Sequence, residues 1–142
     1  MTERLLVPFD GSPLAERALE RVAEKHSDAH VTLLYVVDPV GVVYEAEARG
    51  LPDAETWHER ATDEAEETLA DAAATLADAG CEVETAVETG RPSREILAAV
   101  EDRDIDHVVM GSHGRSGVSR LLLGSTAERV LRRSPVPVTI VR

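Results

Sequence analysis

At 142 residues and 43% hydrophobic content, the chain has the length of one domain spanning 1–142 and enough apolar material for a core, although aromatics make up only 3%. No apolar run approaches the roughly 18 residues of a membrane helix, and the opening MTERLLVPFDGS lacks the basic and apolar regions of a secretory leader, so a soluble, cytoplasmic protein is expected. The formal net charge is −12, with Lys25 the only lysine beside fourteen arginines; such a surface repels nucleic acid and acidic membranes and suits a halophilic, salt-rich setting.

Along the chain, apolar periodicity alternates between strand and helix. RLLVPF (4–9) and VTLLYVV (31–37) are nearly continuous apolar runs, the pattern of strands buried on both faces. Between them Ser12 is placed as an N-cap with Pro13 at the first helical position, and Leu14, Ala18, Leu19 and Val22 form one stripe. Residues 38–53 show neither period and read as an irregular flap or interface, longer than an ordinary strand–helix loop. From about Glu55 to Ala79, Trp57, Ala61, Ala65, Leu69, Ala72 and Leu76 recur every three or four residues and predict a long helix. CEVETAV (81–87) alternates, with Glu82 and Glu84 on one face, as an edge strand does. Its Cys81 stands alone in the sequence, which removes any disulfide framework and leaves a small buried apolar residue. Ser93 is expected to cap a short helix built on Ile96, Leu97 and Val100. HVVMG (107–111) is a fourth strand, and Ser125 with Glu128 forms a capping-box pair ahead of Val130 and Leu131. PVTIV (137–141) is the fifth strand, where Pro137 suits only a start or an edge. No internal repeat is present. The order predicts an α/β fold, a five-stranded parallel sheet with helices on both faces, Rossmann-like in construction.

Ligands of open α/β sheets bind beyond the carboxyl ends of the strands, where the strand order reverses. The loops at that end are Asp10-Gly11-Ser12, the stretch from Asp38, Thr89-Gly90-Arg91, and GSHGRSGVSRLLLGST (111–126). The last contains four glycines, and Gly111, Gly114 and Gly117 recur at every third position, which allows close backbone approach and positive φ. Bare amides there can cradle an anion, and Gly124-Ser125 opens a helix whose N-terminus favours phosphate. The stretch thus offers two anion sites nine residues apart. Ser125 can donate to a phosphate or cap the helix. Residues 111–133 carry Arg115, Arg120, Arg129, Arg132 and Arg133 against the single acid Glu128, whereas the other 119 residues hold 26 acids and 10 bases. Arg129, Arg132 and Arg133 also fit the C-terminal end of a helix dipole; Arg115 and Arg120 do not.

Other motifs fail on named residues. A Walker loop needs lysine, the dinucleotide fingerprint needs G-x-G-x-x-G after the first strand, and Gly114-Arg-Ser-Gly117 is one residue short of a hydrolase elbow. A receiver domain needs clustered acids and a late lysine. At the opposite end, His26 with His30, and Asp102, Asp104 and Asp106 with His107, read as solvated turns rather than metal clusters. The three aspartates lack the glycine and terminal glutamate of a calcium loop.

Gly111-x2-Gly114-x9-Gly124-Ser125 matches the G-2x-G-9x-G-(S/T) pattern of the ATP-binding branch of the universal stress protein family. LLVPFDGSPLAERAL (5–19) resembles that family's opening strand and helix, and AERVLRRSPVPVTIVR (127–142) its closing helix and strand. Phe9 stands where a smaller residue is usual. The resemblance implies strand order 3-2-1-4-5. It implies ATP, or ADP or AMP, with Asp10 near the ribose and the phosphates bridged by Mg2+, so that the aspartate meets the metal only indirectly. Backbone around Val37 would meet adenine. Gly111 and Gly114 would line the ribose and phosphate path, with Ser112, His113, Arg115 and Ser116 beside it, and Gly124, Ser125 and Thr126 would hold the phosphate tail. It further implies a homodimer through the closing strand, which agrees with VPVTIVR as an apolar edge.

Three function classes stay open on the residues. A nucleotide-binding regulatory protein would change its affinity for a protein partner between ATP-bound and empty forms. An ATPase or phosphotransferase would need dense positive charge and an oriented nucleophile, which an acidic chain without a nearby lysine does not offer. A structural stress-related dimer would leave the glycine pattern without a purpose.

Overall fold

The computed structural model describes residues 2–50, 53–113 and 123–142. β1 (Arg4–Pro8) takes the centre of the sheet because Leu5, Leu6 and Val7 are all fully buried, each side chain contributing about 1.5–3 kcal/mol. Alternation then sorts them. Leu5 and Val7 join Ala18, Leu19 and Val22 of α1 (Pro13–Lys25) and Leu69 and Leu76 of α3 (Ala54–Asp78) on one face. On the other face, Leu6 meets Ile96 and Val100 of α4 (Pro92–Asp102) and Val130 of α5 (Ser125–Arg133). β2 (His30–Val37) pairs with β1 on one side, and β3 (Glu82–Thr89) lies beyond it as an edge. On the other side come β4 (His107–Gly111) and β5 (Val138–Val141). All pairings are parallel and the order is β3-β2-β1-β4-β5.

Several local expectations change. Residues 38–53 are not wholly irregular: Pro39–Ala48 form a helix, α2, packed against α3. Asp38 Oδ1 accepts the Val40 amide at 3.0 Å, so the start carries an ordinary Asp-Pro helix signal. The periodicity was hidden by Gly41 and the valines, which are poor helix formers without tertiary support. Ser93 is not the cap of α4; Pro92 occupies the first turn and Arg91 becomes the N-cap. Nor does the Ser125–Glu128 capping box form. Gly124 is the N-cap, Ser125 is the first helical residue, and Glu128 instead meets Arg132 at 3.0 Å. Asp53 caps α3 by accepting the Thr56 amide, and that bond holds its carboxyl below the usual range. Among the described residues no helix is long and apolar enough to cross a membrane.

Candidate functional site

The chain leaves β1 toward β2 on one side and later reaches β4 on the other, so the strand order reverses between β1 and β4. A cleft of about 940 Å³ opens there, beyond the carboxyl ends of the strands. Its apolar wall comes from Phe9, Leu34, Val37, Trp57 and Ile96. Trp57 is buried in a small cluster with Val37 and Ala65, and the Arg49 guanidinium lies 4.9 Å from the Trp57 ring centroid. The guanidinium over the indole is a cation–π contact that places an arginine beside the apolar wall.

β1 delivers the second wall. Asp10 Oδ1 accepts the Ser12 amide at 2.9 Å, a tight turn over Gly11, whose φ of +77° requires glycine. Ser12 then occupies the N-cap position of α1, but its side chain makes no capping bond. Its Oγ is buried without a hydrogen-bond partner, and the residue lines the cleft. A buried hydroxyl left unpaired costs about 1–3 kcal/mol, so a polar ligand group has a place to go.

The third wall is built by closure of the glycine-rich stretch. The Ser112 amide donates to Val141 O at 2.8 Å, and the Gly124 amide donates to Ser112 O at 2.7 Å. The two ends of the stretch, Ser112 and Gly124, therefore touch, which brings Gly111 and Gly124 to the same cleft. Neither Gly111 nor Gly124 has positive φ; close approach is what each supplies. A Cβ on Gly124 would lie 3.0 Å from Ser112 O and 3.1 Å from His113 Cβ. A Cβ on Gly111 would lie 2.9 Å from Leu14 Cβ and 3.1 Å from its carbonyl carbon. Gly111 thus lets α1 sit on β4. With Gly124 as N-cap, the exposed Ser125 opens α5 without capping it, and the helix N-terminus faces the cleft through Ser125 and Thr126.

The family model of the universal stress protein family matches residues 1–142. The chain belongs to the universal stress protein family. The universal stress protein MJ0577 of Methanocaldococcus jannaschii is 32% identical over 164 residues, covering 100% of this chain and 96% of that one. The solved MJ0577 structure superposes with a TM-score of 0.85 at 31% identity, covering 99% and 96% of the two chains. A universal stress protein of Thermus aquaticus is 35% identical over 143 residues, with 100% of both chains covered. A universal stress protein of Archaeoglobus fulgidus, solved in complex with dAMP, shares the fold with a TM-score of 0.68 at 23% identity, covering 100% and 98%.

In this universal stress protein, Asp10, Val37, Gly111, Gly124, Ser125 and Thr126 all line the one cleft. Gly114, Arg115, Ser116, Gly117 and Arg120 lie outside the described residues. Sequence reasoning passed over Trp57, Tyr35, Arg49 and Met110 as lining residues. Trp57 carried a signal, as the only tryptophan in the chain; the others did not. Of the arginines assigned to the end of α5, Arg132 pairs with Glu128, whereas Arg129 lines the cleft. Asp10, Asp38 and Glu64 are matched there by Arg49, Arg91 and Arg129, so the acidic excess of the chain does not extend into the cleft.

Proposed function

We propose that the cleft binds an adenine nucleotide, ATP with Mg2+ or in its place ADP or AMP, and that the protein acts in the cytoplasm as a nucleotide-dependent regulatory dimer in the stress response. One observation carries the reading: Asp10, Val37, Gly111, Gly124, Ser125 and Thr126, drawn from four separate segments, share one cleft with a helix N-terminus. The lining fits such a ligand. The apolar wall with Val37, Phe9 and Trp57 suits a purine, the unpaired Ser12 Oγ suits a polar partner, and the start of α5 suits phosphate. Mg2+ would arrive on the phosphates and keep several waters, and Asp10, which lines the cleft, would meet the nucleotide-bound ion only indirectly. The dAMP held by the Archaeoglobus relative belongs to the same ligand class.

Binding without fast turnover is the expected behaviour. Phosphoryl transfer depends on dense positive charge around the phosphates, and the only lysine, Lys25, ends α1 at the far end of the sheet. Calorimetry with ATP and AMP, with and without magnesium, beside a phosphate-release assay, tests both parts. Asp10→Ala should weaken ATP binding chiefly when magnesium is present, and Ser125→Ala should weaken it about tenfold or more by removing a hydrogen bond to a charged group. Turnover in the range of about 1–100 s⁻¹ would make the protein an enzyme of the kinase type. A folded wild type that binds no adenine nucleotide would sink the reading.

A further inference from the structure

The opposite end of the sheet holds a second constellation. Strand alternation puts Glu3 on the face of Leu5, and His107 on the face of Val109, which is the face covered by α1. His26 is the C-cap of that helix and therefore lands above the same two residues. Backbone bonds lock the arrangement: the His30 amide donates to Glu3 O at 2.9 Å and the Asp106 amide to Arg4 O at 2.8 Å. Glu3 Oε1 lies 2.8 Å from His26 Nδ1, Glu3 Oε2 lies 3.4 Å from His107 Nδ1, and the rings meet edge to face with centroids 5.7 Å apart. All three side chains are partly buried, and one ligand atom from each lies within 4.8 Å of the others. The pairings weighed from sequence are not the ones formed: His30 turns to Glu84 at 3.5 Å, and Asp106 accepts the Arg4 amide at 3.0 Å.

We propose that Glu3, His26 and His107 form a binding site for a divalent transition-metal ion, with Zn2+ as the best match. Zinc takes imidazole nitrogen and carboxylate oxygen at about 2.0–2.2 Å, which sets tetrahedral ligand atoms roughly 3.4 Å apart. The observed spacing is already of that order, so small side-chain adjustments suffice. Two imidazoles and one carboxylate select zinc and its neighbours over magnesium and calcium, which demand oxygen. His107 has the support that metal-binding histidines need. Its Nε2 lies 2.7 Å from Thr139 Oγ1, which holds the ring so that Nδ1 faces Glu3 and can present a lone pair. The C-terminal end of α1 adds a partial negative charge at His26. Water would fill the open coordination position. Such an ion would tie the start of β1, the end of α1 and the start of β4 together, far from the nucleotide cleft.

The test uses the chelator-treated, nucleotide-free full chain and zinc chloride alone. Calorimetry should find one tight equivalent, melting temperature should rise with zinc, and cobalt substituted in its place should give the visible absorption of a low-coordinate histidine site. Glu3→Gln, His26→Gln and His107→Gln should each lower affinity by about tenfold or more, and Thr139→Val by about 10–100-fold. His58→Gln, which lies on the other side of the molecule beside Thr89, should bind zinc as the wild type does. Circular dichroism of each metal-free variant checks folding. Should one variant fail to fold, zinc-induced shifts of the His26 and His107 ring resonances in the wild type decide the matter. Zinc binding that persists in all three ligand variants, ring resonances that zinc leaves in place, or association no tighter than that of magnesium with the acidic surface would overturn the proposal.

Discussion

Gly111→Ala tests the packing role of one glycine that lines the cleft. The added Cβ would lie 2.9 Å from Leu14 Cβ, 3.1 Å from the Leu14 carbonyl carbon and 3.2 Å from its oxygen. Carbon atoms settle at about 3.5–4.0 Å, and two of the three obstacles are backbone, so the first turn of α1 must retreat by roughly 0.5–1 Å. Overpacking of this kind costs about 1–3 kcal/mol. Unfolding entropy near 2.1 cal/mol/K per residue gives this chain about 0.3 kcal/mol/K, so the melting temperature should fall by roughly 3–10 °C. Gly41→Ala is the internal control, because a Cβ there meets nothing within 4 Å and the position lies inside α2. Relieving helical glycine should stabilise by about 0.5–1 kcal/mol, a rise of roughly 2–3 °C. Thermal melts by circular dichroism, supported by urea titrations, read both signs. If Gly111→Ala melts at or above the wild type, the packing account of that glycine is wrong.

Three further outcomes follow from the same structure. Val108 N donates to Pro137 O and Ser112 N to Val141 O, so Val138 and Ile140 turn their own amides to the open edge while their side chains share one face of the core. Val138→Pro should remove an edge donor, keep most of the packing, and convert a dimer to monomer in light scattering; a monomeric wild type at micromolar concentration refutes pairing through β5. The charge of −12 should make the melting temperature climb between 0.1 and 1 M salt, as the Debye length falls from about 10 Å to about 3 Å; a flat or falling trend means the acidic surface is incidental. Burial pushes the Cys81 thiol up, with Asp28 adding to it, so the folded state keeps its proton longer than the unfolded chain. Stability should therefore be whole below about pH 8.5 and decline above it, and alkylation near pH 8 should be slow until denaturant is added; rapid labelling of the native protein contradicts the buried thiol.

What could be read from the sequence was what is local or periodic. RLLVPF and VTLLYVV betray buried parallel strands because both of their faces are covered, and the alternating glutamates of 81–87 betray an edge. The start of α1 was legible because Ser12-Pro13 constrains the backbone by itself. Ser93 and Ser125 misled for the complementary reason: serine is a frequent cap, yet Pro92 and the closure of Gly124 onto Ser112 moved both caps one or two residues upstream. Gly111, Gly124 and Ser125 of the cleft were legible through the glycine spacing, and Asp10 and Val37 through the family resemblance, whereas the reason for Gly111 was not. Leu14, the atom group it accommodates, is 97 positions away. The grouping of Glu3, His26 and His107 was hidden in the same way, since each belongs to a different segment and each has a nearer polar neighbour in sequence.

A parallel sheet with crossing helices also imposes a polarity that both proposed sites obey. Strands deliver their carboxyl ends to the cleft, and α1, α4 and α5 begin there, at Ser12, Arg91 and Gly124. Their positive dipole ends converge on a cleft whose described lining holds as many arginines as acids. At the other end the same helices present carbonyls, at His26, Arg103 and Ser134. A cation is favoured where an anion is not. α1 carries the contrast within 13 residues, with Ser12 lining the cleft and His26 facing Glu3 and His107. The helix dipoles therefore favour negative charge at the end where phosphate is proposed and positive charge at the end where the metal ion is proposed.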